Sequence, residues 1–413
     1  MKRIFNYASL LAAAVMLVSC SGNIDPEQEN NDPNNPNTEN TDPTPSGPKV
    51  LKVSSDRNLI QTFDGDYATL TVTLGDEVLT EGVEFYDGDN NPIAIPGYKF
   101  ATEVPGEHQI WASYGTYMSE TIMIKAINTK IPVTPEDPQP SSTDFKVRAL
   151  VTEFTTTGCS WCPSMKTVLH GVLENENTAD MVVMTACHSS LVNSKKDPAY
   201  IKTGYEDFSG MTGMPYVFCD MYYGFGYYTT LTSSDVTEVF GELCAAKEGK
   251  AAGLAVTSSM KDGQLVIKAT VKAAETGNYR IGAFLLEDGI YGQQTSATAD
   301  WMHNHDDVIR YIDSQYYTNS GKEQFYGHSV GNVDEGKTAD YVFVWDLEKI
   351  WDAGALAGEQ YGGCAWNPFV EENLHIAVFA STVGVDEKGN QYYYVSNVVD
   401  CPIGSDVPYE YSK

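Results

Sequence analysis

Basic residues are scarce in this chain: 26 Lys and Arg stand against 56 Asp and Glu, a formal charge of −30 over 413 residues. No stretch gathers Lys and Arg into a patch. That argues against nucleic acid as a partner and against electrostatic docking onto anionic lipid. No later segment has 18 uninterrupted apolar residues, so none reads as a membrane-spanning helix. A second Cys-x-x-Cys is also missing, and with it the usual four-ligand zinc set. No Asp-x-Asp-x-Asp-Gly loop with a closing Glu is present for calcium. Neither a metal nor a cofactor is expected. Aromatics, by contrast, are plentiful, with 26 Tyr, 15 Phe and 6 Trp, enough to build packed cores.

The N-terminus, MKRIFNYASLLAAAVMLVSCSGN, pairs a basic start at Lys2 and Arg3 with a short apolar run from Leu10 to Val18. Such a run is a secretory signal, too short to span a bilayer. It ends Leu17-Val18-Ser19-Cys20, which resembles the lipobox of bacterial lipoproteins. The resemblance implies removal of residues 1–19 and lipidation of Cys20, with an ordinary signal peptide and a chance cysteine as the alternative. The implied location is the cell outer membrane, lipid-anchored and facing either the periplasm or the surface. Disulfides persist in an exported protein, so each cysteine is first a possible bridge.

Composition divides the rest. Residues 20–48 are Asn, Pro, Asp, Glu and Thr with almost nothing apolar, a disordered tether. Residues 49–130 show short alternating strands such as YATLTVTLG and HQIWASYG, expected to form an immunoglobulin-like β-sandwich. Residues 131–143 are a Pro-rich linker. Residues 144–249 alternate strand and helix, an α/β domain. Met165, Val168, Leu169, Val172 and Leu173 fall at helical spacing, as do Val236, Val239, Phe240, Leu243 and Cys244 in a helix that Ser and Asp are expected to cap. From 250 to 413 strands return as a C-terminal β-sandwich, with a long insertion at about 287–339. The fold class expected is therefore multidomain α+β.

The chemistry centres on EFTTTGCSWCPSMK, Glu153 to Lys166. Cys159 and Cys162 follow a strand and open a helix, where backbone N–H groups favour a thiolate. A thiolate is the species that attacks a disulfide. Glu153, six residues earlier in the feeding strand, is a candidate buried acid for the Cys162 proton. Trp161 and Met214 are candidate substrate contacts. Pro215 begins a later strand after GMTG and is a candidate cis-proline.

This arrangement resembles thioredoxin. The resemblance implies a thioredoxin-like domain with Cys159 as nucleophile, Cys162 as resolving thiol, Glu153 where thioredoxin usually has Asp, and Pro215 as the cis-proline. Ser160-Trp161 replaces the Gly-Pro dipeptide, and Met214 replaces Thr or Ile. More of the chain resembles the outer-membrane-protein-28-related lipoprotein family, through EFTTTGCSWCP and the later WMHNHDDVIR. That resemblance covers about 145–410 and implies a thioredoxin-like domain followed by a β domain. The activity implied is thiol–disulfide exchange, with exported protein thiols or disulfides as partners. The alternative is a binding or adhesion lipoprotein that keeps the fold as a scaffold.

The remaining cysteines are Cys187, Cys219, Cys244, Cys364 and Cys401. Cys364 and Cys401 have only each other in the last domain and are expected to form a structural disulfide. Cys244 reads as a buried thiol. Cys187 and Cys219 end strands that flank a central one, so a direct bridge needs distortion. His303, His305, Asp306 and Asp307, with His328, invite a metal reading. A hydrogen-bonded turn accounts for them more simply.

Overall fold

Side-chain alternation builds the first part of the chain. In the strand Ala68–Leu74 the residues Ala68, Leu70, Val72 and Leu74 are buried and the threonines between them are not. Gly106–Tyr114 likewise buries Ile110 and Ala112. The computed structural model of the chain describes residues 49–189, 196–313, 325–361, 366–385 and 388–412. The expected signal peptide, the tether, Cys20 and Cys364 lie outside them. Two sheets share the residue range 50–127, one built on Leu51–Ser55 and Ala68–Leu74, the other on Gly106–Tyr114 and Ile122–Ile127. Leu70, Val72, Phe85, Ile110 and Ile124 from both sheets meet in one apolar cluster.

Residues 131–143, expected as a linker, are docked. Thr134 Oγ1 lies 2.8 Å from Thr270 Oγ1, and the buried Lys272 ammonium donates to Asp137 Oδ2 at 2.8 Å and to the Pro140 carbonyl at 2.9 Å. A buried ammonium has three donors to satisfy, and this segment satisfies them.

A nine-stranded sheet organises the remainder of the chain. Its strands are β1 (Ala149–Phe154), β2 (Val182–Cys187), β3 (Tyr216–Cys219), β4 (Tyr223–Gly226), β5 (Gly277–Glu287), β6 (Val308–Ile312), β7 (His328–Val333), β8 (Leu374–Val385) and β9 (Gln391–Pro402). The order is β4-β3-β1-β2-β6-β5-β8-β9, with β7 also on β5. β1 runs parallel to β2 and antiparallel to β3. The helices are α1 (Cys162–Leu173), α2 (Glu176–Ala179), α3 (Tyr205–Ser209), α4 (Ser233–Ala245) and α5 (Leu347–Tyr361). Met165, Val168, Leu169 and Val172 of α1 and Val236, Phe240 and Cys244 of α4 pack with Ala149, Val151 and Val217 on one face of the sheet. Leu173 is 37% exposed, because eight residues from Met165 rotate it about 80° off the stripe. The cap of α4 is Thr232, closed by Asp235 in a capping box.

The sheet does not stop at residue 249, where a domain boundary was expected. β2 pairs in parallel with β6 through Ala186 and Val308, and the Ala186 N–H donates to the Asp307 carbonyl at 2.8 Å. The core beneath is shared too: Leu150, Phe154, Tyr205 and Phe218 touch the same cluster as Phe284, Ile309, Phe379 and Val398. On the opposite face of β5 and β8, a four-stranded sheet of Thr338–Asp346, Gln264–Lys272, Gly253–Lys261 and Asp406–Val407 closes a sandwich. Residues Val50–Lys413 accordingly cluster as one compact unit.

Phe284 is fully buried in the shared cluster. Phe284→Ala is expected to cost about 3–5 kcal/mol of stability. In urea unfolding followed by hydrogen exchange, amides of β1 and of β8 should lose protection together. A shift confined to β8 would contradict a shared core.

Candidate functional site

β1 is buried at every position. Its two-residue period sends Leu150 and Phe154 to one core and Ala149 and Val151 to the other. Glu153 therefore falls on the face that α1 covers. The chain leaves β1 through Thr155, Thr156 and Thr157, all buried, and reaches the cysteines.

Cys159 and Cys162 form a disulfide with Cα atoms 5.5 Å apart. Cys162 is the first residue of α1, Pro163 sits in the opening turn, and no side chain caps the helix. Proline fits there because the first helical N–H groups have no intrahelical partner. One of those donors, Cys162 N–H, is aimed at Cys159 Sγ, 3.1 Å away. Cys162 is 1% exposed and Cys159 4%. Cys159 lines a groove of about 360 Å³ with Ser160, Trp161, Thr212, Gly213 and Met214. Trp161 is 57% exposed. Past it, Met214, Pro215, Tyr216, Tyr227 and Tyr228 line a second groove of about 410 Å³. The peptide bond Met214–Pro215 is cis. Among the described residues no charged side chain lines either groove, in a chain of charge −30.

Glu153 lies behind α1. Burial raises its pKa to about 7, Lys166 partly offsetting the shift, and one carboxyl oxygen has no hydrogen-bond partner among the described residues. A cavity of about 350 Å³ opens there, lined by Glu153, Lys166, His170, Trp301, Asp306 and Asp307 among others. Burial likewise pulls the Lys166 pKa down. Its ammonium donates to the Met302 and Asn304 carbonyls.

Two of the histidines that invite a metal reading, His303 and His305, are hydrogen-bonded parts of this region. His303 Nδ1 accepts from the Gln294 N–H at 3.0 Å. His305 is buried edge-on against the His188 ring, centroids 4.8 Å apart, and burial beside His188 and Lys166 lowers its pKa to about 3. His188 in turn holds Asp197 at 2.8 Å, and Asp197 accepts from Thr156 Oγ1 and Thr157 N–H. Burial opposes the Asp197 charge, but His188 and the N–H groups of Thr157 and Ala199 keep its pKa well below the ordinary value. His328 pairs instead with Asp313. Asp307 meets Asp288 and His375, whose ligand atoms lie within 4.8 Å of one another. Burial opposes the His375 charge, yet bonds to Asp288 and Asp400 raise its pKa to about 10. That imidazolium pairs with Asp288 and Asp400, while burial raises the Asp307 pKa to about 7.

Cys401 is a buried thiol beside Ser405; Cys364, with which it is expected to pair, lies outside the described residues. Its Sγ lies 3.6 Å from Ser405 Oγ at the end of β9. Cys187, Cys219 and Cys244 are buried free thiols whose pKa burial raises. β1 separates Cys187 from Cys219. No local pattern pointed to Gln294, Asp197 or the role of Lys166, which become neighbours only through the fold.

No protein-family model matches the chain, and no curated protein matches it. Among solved structures, HBP35 of Porphyromonas gingivalis aligns with a TM-score of 0.47 and 13% identity, over 65% of this chain and 78% of that one.

Glu153 carries a pH dependence. Its folded-state pKa of about 7 exceeds the ordinary 4.5, so folding takes up a proton between those values. Stability is full below about pH 4.5, falls as pH rises to about 7, and levels off above. Glu153→Gln removes that loss. Urea unfolding across this range should show the variant gaining roughly 3 kcal/mol on the wild type. A constant difference would place the carboxyl in a solvated setting.

Proposed function

We propose that this chain is a cell-envelope lipoprotein whose thioredoxin-like domain exchanges thiols and disulfides with exported proteins. In this reading residues 49–130 are an immunoglobulin-like spacer, and Cys20 is the lipid anchor. The observation that carries the activity is the Cys159–Cys162 disulfide at the uncapped start of α1, with Cys162 N–H directed at Cys159 Sγ. Once reduced, Cys159 would hold its negative charge against the same helix end, where thiol pKa values fall to about 3.5–7.5.

In the reducing direction the Cys159 thiolate attacks a substrate disulfide. A mixed disulfide forms and one substrate thiolate leaves. Cys162 passes its proton to Glu153, attacks Cys159 Sγ and restores the Cys159–Cys162 disulfide, releasing the second substrate thiolate. The substrate gains two electrons and the cysteine pair loses them. Run backwards, the same steps oxidise a dithiol. Trp161, Met214 and Pro215 border the uncharged grooves in which a polypeptide would lie. The dipeptide Ser160-Trp161 helps set the direction, since related pairs span roughly −270 to −120 mV.

Cys159→Ser should abolish reduction of insulin disulfides by the purified protein. Cys162→Ser should instead accumulate mixed disulfides through Cys159. A wild-type pair that exchanges with no protein in either direction, with a potential below about −300 mV, would make the bridge structural and sink the enzymatic reading.

A further inference from the structure

The loop that carries Cys159 is held from outside its own half of the chain. Gln294 is 4% exposed. Its side-chain amide donates to the Cys159 carbonyl at 2.8 Å and shares its second hydrogen between the Thr295 and Thr156 carbonyls at 3.3 and 3.4 Å. The Cys159 and Thr156 carbonyls bracket a turn, because Cys159 N–H donates back to Thr156 at 3.0 Å. One amide therefore ties both ends of the turn that leads into the disulfide. The neighbouring backbone joins in: Thr295 N–H donates to the Thr157 carbonyl at 2.8 Å. Gly292 runs so close that a Cβ there would meet Thr157 Cγ2 at 2.9 Å. Further along the same segment, the Met302 and Asn304 carbonyls accept from Lys166 of α1. The segment thus grips the turn before the disulfide and the helix after it.

We infer that Gln294 is a positioning residue for the Cys159–Cys162 pair, setting how readily that disulfide closes. The inference rests on the redox reading for its functional meaning, but the quantity it predicts does not. A turn tied at both ends holds Cys159 Sγ at the start of α1. Once it is loosened, the two thiols meet less often and the disulfide is easier to reduce.

The test is equilibration of the full-length protein with dithiothreitol and its cyclic disulfide. One dithiothreitol gives two electrons and two protons to the Cys159–Cys162 disulfide and becomes the ring. The fraction reduced is read as the mass of the alkylated peptide that carries both cysteines. Gln294→Met keeps the length and removes the donor. It should lower the closing constant about three- to tenfold, which is about 15–30 mV. Gln294→Asn, shorter by one methylene, should fall between. Tyr291→Ala, an exposed position of the same segment, should leave the constant unchanged. A Gln294→Met constant within about 1.5-fold of wild type overturns the inference, as does an equal shift in Tyr291→Ala. If Gln294→Met does not fold, Gln294→Asn decides by the same criterion. Insulin reduction by the wild type is measured alongside. Its absence counts against the enzymatic reading and leaves the closing constant to judge Gln294.

Discussion

Burial of β1 on both faces and both edges is the constraint on which the site depends. No residue of Ala149–Phe154 reaches solvent appreciably. Strands flank it on either side, α1 and α4 cover one face, and the aromatic cluster around Tyr205 and Phe284 covers the other. A strand so enclosed cannot slip by one residue, because that would exchange its two cores. Its C-terminal end therefore aims the Thr155–Cys159 loop reproducibly. The same enclosure makes its one carboxylate, Glu153, hard to ionise and leaves it poised near neutrality.

The scarcity of cations acts throughout the interior. Several of the few Lys and Arg residues are buried with acids rather than displayed. Lys247 meets Asp220 at 2.8 Å, and Asp220 also accepts from the Leu150 N–H in β1. Arg310 pairs with Glu287 and stacks over Trp366, 4.4 Å from the ring centroid. Lys272 closes on Asp137 amid Phe145, Tyr409 and Tyr411. Removing one member of such a pair strands a buried charge, which costs far more than the pair contributes. These pairs tie the early and late parts of the chain together at defined points. Placing cations inside also leaves the exterior acidic, so the uncharged grooves beside Cys159 stand apart from the rest of the surface.

The segment between β5 and β6 links these themes. It brings His305 against His188, Lys166 against two carbonyls, and Gln294 against the cysteine loop. It then continues into β6 and completes the sheet beside β2. A stretch that reads as an insertion in a β domain thereby forms one wall of the disulfide site. The segment satisfies many of its polar atoms internally, as in His303 and His305, and several more against the other half of the chain.

Local signals were legible without coordinates. Alternation at Ala68, Leu70 and Val72, the apolar stripe of α1, the strand–cysteine–helix junction and the proline at 215 are all short-range patterns. Each arises from a backbone period or from the chemistry of neighbouring residues. They determined the element types, the place of the cysteine pair and the candidacy of Glu153 and Pro215. The tertiary structure decided the rest: the sheet that joins strands from both sides of residue 249, the docked 131–143 segment, and the hold of Gln294 on a carbonyl 135 residues away. Contacts at that separation leave no periodic trace. They depend on which edges and carbonyls remain unsatisfied once the elements have packed.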